Sequence, residues 1–285
     1  MYMFLIIKSN YIIMKKIILA ILAAAMIFTG CTKTNEGPGK LILKITDAPF
    51  RINQIDSATV TITKIELRKA DETVNNPFIV LMEDTIKCDL LQLRNGAGQE
   101  LLNMDIPQGS YDLVRLYVEE AGLKLKDHPD GFKVKVPSGK QTGIKVFIAP
   151  AIRISGGLTT ELLLDFDLSR SFVMRGNLDH TAKINGFIFK PCIRAVNNST
   201  AGSVAGMVSD TSGAIVGNAE VWIQKDTVLA TAFTDTLMGH YAFIGVPAGS
   251  YSVFATKETF DTVSFSDVDV IPANKTIVNF VLTPK

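Results

Sequence analysis

Pro107-Gln108-Gly109-Ser110-Tyr111 and Pro247-Ala248-Gly249-Ser250-Tyr251 repeat one local pattern, and each runs directly into a stretch of alternating apolar residues. Proline presets φ for a tight turn, and glycine supplies a backbone conformation closed to other residues. The tyrosine then opens a strand, its ring turned to a core and its hydroxyl expected to stay in water. Working outward, the same texture recurs in short runs rich in Val, Ile, Thr and Phe, at 40–46, 58–68, 143–148, 160–166, 204–208, 219–224, 240–244 and 277–282. Gly, Pro, Asn and Asp separate them. Such spacing predicts an all-β chain of antiparallel sandwiches, not strands alternating with helices. One short helix is expected over 89–93, stopped by Arg94-Asn95-Gly96.

The polar stretch Asn197-Asn198-Ser199-Thr200-Ala201-Gly202-Ser203 has no apolar anchor and marks a boundary. It divides the chain into 40–197 and 202–285. Ahead of both, Thr32-Lys33-Thr34-Asn35-Glu36-Gly37-Pro38-Gly39 reads as a tether, so 31–39 joins the first unit to whatever precedes it.

What precedes it looks like a targeting segment over 1–30. Lys15 and Lys16 form a positive start, residues 17–28 are uncharged and apolar, and Thr29-Gly30-Cys31 follows. An apolar run of about a dozen residues is short for a hydrocarbon core roughly 30 Å thick, and fits the centre of a signal peptide. Small residues before a cysteine resemble the lipobox of bacterial lipoproteins, which implies diacylation of Cys31 and cleavage before it. Phe28 stands where such boxes more often carry Leu. Met14 would open a signal of ordinary length, and is read as the true start. The location expected is the outer membrane, facing either the surface or the periplasm, with the lipid as the membrane contact.

Charge narrows the partners. Lys and Arg number 29 against 28 Asp and Glu, leaving a net charge of +1 and no basic stripe to support nucleic-acid binding. Outside Cys31 only Cys88 and Cys192 remain, both in apolar strand-like stretches. Two buried thiols are the plain expectation, while an oxidising compartment would also permit a disulfide between them.

Candidate chemistry is sparse. Asp165 and Asp167 alternate along one strand and share a face, and Asp47 lies in a turn far away in sequence. Clustered carboxylates could hold Ca²⁺, which takes six to eight oxygens, but turn closure and strand termination explain the same residues. No metal or other cofactor is therefore expected. His128, His180 and His240 are isolated, and Ser138 has no base or orienting acid beside it. No nucleophile elbow, zinc-protease helix or phosphate loop occurs. Trp222, Tyr241 and Phe243 could form a sugar-stacking platform, although Tyr241 and Phe243 share a strand face that reads better as core.

The second unit is identified as similar to the carboxypeptidase regulatory-like family, a prealbumin-type sandwich related to the CnaB repeats of surface adhesins. The matching residues include Gly202-Ser203-Val204-Ala205-Gly206, Ala219-Glu220-Val221, Thr234-Asp235, Gly239-His240-Tyr241-Ala242-Phe243 and Pro247 to Tyr251. The resemblance implies a non-catalytic spacer, stabiliser or binding unit. Some CnaB domains crosslink Lys to Asn. Glu220 and Asn279 suggest two of those parts, but the first strand of the unit offers no Lys and no crosslink is expected. The first unit resembles the family called domain of unknown function 4382, on Thr46-Asp47-Ala48-Pro49, Asp89-Leu90-Leu91, Pro107 to Tyr111, Arg115-Leu116, Leu164-Asp165-Phe166-Asp167 and Lys190-Pro191. The pairing resembles envelope lipoproteins of Bacteroidetes. Together these readings predict two Ig- or prealbumin-like sandwiches and a non-enzymatic envelope lipoprotein that binds a glycan or an envelope or host protein. The alternatives are a periplasmic structural or sensory component of an uptake or export system, and an unrecognised hydrolase.

Overall fold

The computed structural model describes residues 37–48, 55–70, 77–93, 96–126, 128–134, 136, 140–176 and 184–285. The segment expected to be a signal, Met14, Cys31, Ser138 and His180 all lie outside the described residues, as do 31–36 of the tether. The chain is all-β.

The first core is built by β1 (Gly39–Ala48), β2 (Ile55–Lys69), β3 (Phe78–Met82), β4 (Ile86–Asp89), β5 (Gln99–Ile106), β6 (Gly109–Leu125), β7 (His128–Val134), β8 (Ile144–Ile154), β9 (Thr159–Asp167), β10 (Phe172–Gly176), β11 (Ile184–Phe189) and β12 (Ile193–Asn197). The helix expected at 89–93 is a 3-10 turn at Leu90–Leu93, which buries Leu90, Leu91 and Leu93. Four residues are too few for α-helical pairing to propagate. A single α-turn, α1 (Leu168–Ser171), follows β9.

Ten of these strands form one folded-over sheet in the order β3-β2-β6-β8-β12-β9-β1-β5, with β4 on β2 and β7 on β6. β8 makes the fold-over possible. It pairs with β6 through Ile144–Phe147 and again through Ile152–Ile154, while Ile148 between them pairs with Ala195 of β12. The extra residues bulge the strand and turn the sheet back on itself. Most pairs are antiparallel, as expected, but β1 runs parallel to β9 and β12 to β8. Leu41, Leu43 and Ile45 of β1, Ala58, Val60 and Ile62 of β2, and Leu162, Leu164 and Phe166 of β9 point inward and are fully buried. Each large aliphatic there contributes about 1.5–3 kcal/mol of burial.

The second core comprises β13 (Ala201–Asp210), β14 (Glu220–Gln224), β15 (Val228–Phe233), β16 (His240–Pro247), β17 (Gly249–Thr256), β18 (Val263–Val270), β19 (Lys275–Ile277) and β20 (Phe280–Leu282). Two four-stranded sheets face each other, one of β16, β13, β19 and β20, the other in the order β15-β14-β17-β18. Val204, Val208, Val221, Ile223, Tyr241, Phe243, Val253 and Phe280 fill the space between them. The stretch 277–282 expected as one strand is two, parted at Val278-Asn279, because Val278 N donates to Ala205 O and Asn279 Oδ1 accepts from Met207 N.

Candidate functional site

The polar residues gather where the two cores meet. On β9 and β12, residues that do not face the first core form an outer row, because alternation and antiparallel register place Leu163 beside Val196 and Asp165 beside Arg194. Leu163 and Val196 are nonetheless buried, since Gly245 of β16 lies against both. A side chain there would stand 2.7 Å from Leu163 Cδ2 and push it aside, and the φ of 63° also favours glycine. This explains why Leu162-Leu163-Leu164 reads as an unbroken apolar run: the strand is covered on both faces.

Arg194 closes the joint. Its Nη2 donates to Asp165 Oδ2 at 2.7 Å, and its Nη1 donates to the carbonyl of Gly245 at 3.1 Å, across to the second core. Burial pushes the Asp165 carboxyl above its ordinary value, Arg194 opposes that push, and Asp167 adds to it. Beside this pair Glu161 accepts from Lys44 Nζ at 2.6 Å, and its backbone carbonyl accepts from Asn198 N at 2.8 Å. Ser199 Oγ accepts from Glu161 N at 2.8 Å. Within the stretch 197–203 read as a polar boundary, 198–200 form a hydrogen-bonded turn clasped to β9, and 201–203 already belong to β13. A cleft of about 530 Å³ opens beside it, lined by Lys44, Glu161, Asn198, Gly245 and Lys275 among others.

The carboxylates proposed for calcium are brought onto neighbouring strands but point to opposite faces. Parallel pairing sets Thr46 beside Asp165 and Asp47 beside Phe166, so Asp47 sits on the core face and Asp165 on the outer face. Asp47 Oδ1 accepts from Leu168 N at 3.2 Å, and Asp167 Oδ1 caps α1 by accepting from Arg170 N at 3.1 Å. Among the described residues, no group of three or more His, Cys, Asp and Glu could hold a metal ion. Cys88 and Cys192 are free thiols, and burial pushes Cys88 up to about 11.

Both repeated turns take one geometry. Gly109 and Gly249 have φ of 154° and 153°. Tyr111 Oη donates to Pro107 O and Tyr251 Oη to Pro247 O, each at 2.8 Å. The hydroxyls expected in water are turned inward instead, because each turn leaves a proline carbonyl within reach of the ring's tip.

Of the aromatic trio, Tyr241 and Phe243 are core, and Tyr241 Oη donates to Val278 O at 2.7 Å. Trp222 faces away from the core and stacks on Phe254, ring centroids 5.0 Å apart and planes 3° from parallel. Sequence reading missed Phe254. Its signal was the register of β14 with β17, which pairs Trp222 with Phe254 and cannot be read from either strand alone. A cavity of about 590 Å³, lined by Glu220, Phe233, Thr256, Lys257 and others, lies at the same sheet. Among the described residues no helix is long and apolar enough to cross a membrane.

No curated protein matches the sequence. Solved structures match at low similarity: the minor pilin GBS52 of Streptococcus agalactiae at 9% identity, over 86% of this chain and 96% of that one, with a TM-score of 0.24. The shaft pilin SpaA of Lactobacillus rhamnosus GG matches at 9% identity over 87% and 98%, also with a TM-score of 0.24. The Bacillus anthracis TIE protein matches at 12% identity and a TM-score of 0.24 over 87% of this chain, which spans 34% of that protein. Residues 203–283 match the model described as "Carboxypeptidase regulatory-like domain". Residues 38–191, more than half of the chain, match "Domain of unknown function (DUF4382)", and the chain belongs to that family.

Proposed function

We propose that the protein is a non-enzymatic lipoprotein of the outer membrane, tethered through Cys31, whose two β units present a surface to an extracellular ligand or partner. One observation carries the non-enzymatic part. The buried carboxylates among the described residues are Asp47, Glu66 and Asp165, and each is engaged by a structural donor. Asp47 accepts from Leu168 N, and Asp165 from Arg194. Glu66 Oε2 accepts from Arg115 Nη1 and Tyr117 Oη, both at 3.1 Å, and its Oε1 pairs with Lys64 at 3.1 Å. A general acid or base needs a perturbed group within reach of substrate, and these groups face strands instead. The carboxypeptidase regulatory-like type of the second unit is non-catalytic as well. The anchor rests on the order of positive charge, apolar run, small residues and cysteine before the tether.

The test is labelling of cells with a radioactive fatty acid, followed by protease treatment of intact and lysed cells. The expected result is label on the wild-type protein, none on Cys31→Ser, and digestion on intact cells. Label on both forms would refute the anchor. Digestion only after lysis would place the protein in the periplasm and favour a structural or sensory role there.

A further inference from the structure

The sheet β15-β14-β17-β18 has one face against the second core and one turned away from it. Val221, Ile223, Ala232, Val253 and Ala255 occupy the inner face, fully buried. Register then places Thr231, Trp222, Phe254 and Ser264 in one row across the outer face. The neighbouring row holds Phe233, Glu220 and Thr256. The stacked Trp222 and Phe254 stay half-buried on that outer face.

Beside that stack the cavity of about 590 Å³ falls within the ~300–1,000 Å³ range of small-ligand clefts. Around Phe233 it is lined by Glu220, Thr256, Lys257, Glu258 and Lys285. The ammonium groups of Lys257 and Lys285 offset the side-chain carboxylates of Glu220 and Glu258, so neither sign of side-chain charge dominates the lining. Lys257 is held in place by donating to Gly217 O at 3.0 Å, and an ammonium has further donors to offer. Ring faces next to a charge-balanced set of donors and acceptors suit a ligand that is apolar on one face and polyhydroxylated at its edge.

We propose that this outer face is a binding site for a neutral sugar, a pyranose ring lying against the Trp222–Phe254 stack and its hydroxyls reaching Glu220, Thr256 and Lys257. The proposal rests on the partner-binding reading above and names the class of ligand. Trp222 is the one tryptophan in the sequence, so the emission of the full chain reports this site alone. The full chain, in a detergent without a sugar headgroup, is titrated with maltotriose, cellotriose and triacetylchitotriose, each to about 10 mM, tenfold above a dissociation constant of about 1 mM. The expected result is a saturable emission change with at least one of the three. Phe254→Ala and Glu220→Gln should each weaken it about tenfold. Phe147→Ala, at an exposed aromatic of the first unit, should leave it unchanged. If Phe254→Ala fails to fold, Phe254→Leu keeps the apolar volume and removes the stack. No saturable change with any of the three sugars overturns the site, and so does equal affinity in a folded Phe254 variant. A protein that carries the lipid label and is digested on intact cells, but gives no sugar response, loses this site and keeps the anchored binding role.

Discussion

Tyr111 and Tyr251 end the same five-residue pattern and make the same 2.8 Å bond to the proline carbonyl four residues back, yet their surroundings differ. Tyr111 is wholly enclosed in the first core. Tyr251 keeps 7% of its surface and lies near the joint: burial pushes its phenol upward, and the charge of Arg194 opposes that push. Five residues are therefore enough to fix the turn. The surroundings of the turn are set elsewhere, and near Tyr251 they include a guanidinium from another strand.

Removing that guanidinium should have the largest effect. Arg194→Ala leaves Asp165 buried without its partner and Gly245 O without its donor. Breaking a buried pair from one side costs about 3–5 kcal/mol, so denaturant melting should show a loss of that order. Arg194→Met combined with Asp165→Asn should recover much of it, since no buried charge remains. A loss below about 1 kcal/mol would mean that the joint is solvated, and that the two tyrosines do not differ in the way described.

The glycines test whether the two turns are one device. Gly109→Ala and Gly249→Ala meet only ordinary contact with the rings of Tyr111 and Tyr251, at 3.9 Å and 3.6 Å, so their cost comes from the backbone conformation. Each should lose about 1–3 kcal/mol, and the two losses should agree. Unequal losses would show that the turns share a sequence pattern and not a conformational requirement. Tyr111→Phe and Tyr251→Phe should cost less, about 1 kcal/mol, because one hydrogen bond goes and the ring remains. The larger loss should fall on Tyr111, whose ring is the more deeply buried of the two. Thermal melting of the two variants side by side decides this.

The strands were legible and their partners were not. Short runs rich in Val, Ile, Thr and Phe located β1, β2, β9, β13, β14 and β16 to within a few residues. Asp47 and Asp165 were legible as acids but not as neighbours, since only the parallel pairing of β1 with β9 brings them together. The same pairing puts them on opposite faces. Arg194 carried no signal at all: a lone arginine in Cys192-Ile193-Arg194-Ala195 looks like any exposed strand residue until β16 covers it. Trp222 was visible as a candidate, but its partner depended on register. Chemistry made within a few residues can be read from sequence, and chemistry made across strands waits for topology.

The smallest effect compares two acids, one at the joint and one in a turn of the second core. Burial raises Asp165 above the ordinary 3.8, against the pull of Arg194. At Asp235 burial also pushes upward, but the backbone N–H groups of Met238, His240 and Leu237 outweigh it and hold the carboxyl below 3.8. The signs are therefore opposite. As pH rises past 3.8 the unfolded chain releases the Asp165 proton first, so its favourable contribution is full below that pH and is lost as pH climbs through the folded value. For Asp235 the contribution is present above 3.8 and is lost as pH falls through the folded value. Carboxyl-carbon NMR should show Asp165 titrating above and Asp235 below the ordinary range. In melting curves taken against pH, Asp235→Asn should flatten the acid limb, and Asp165→Asn should flatten the decline from mildly acid pH toward neutral. If both substitutions flatten the same limb, Asp165 is ionised as freely as a turn acid, and Arg194 is holding it in contact with water.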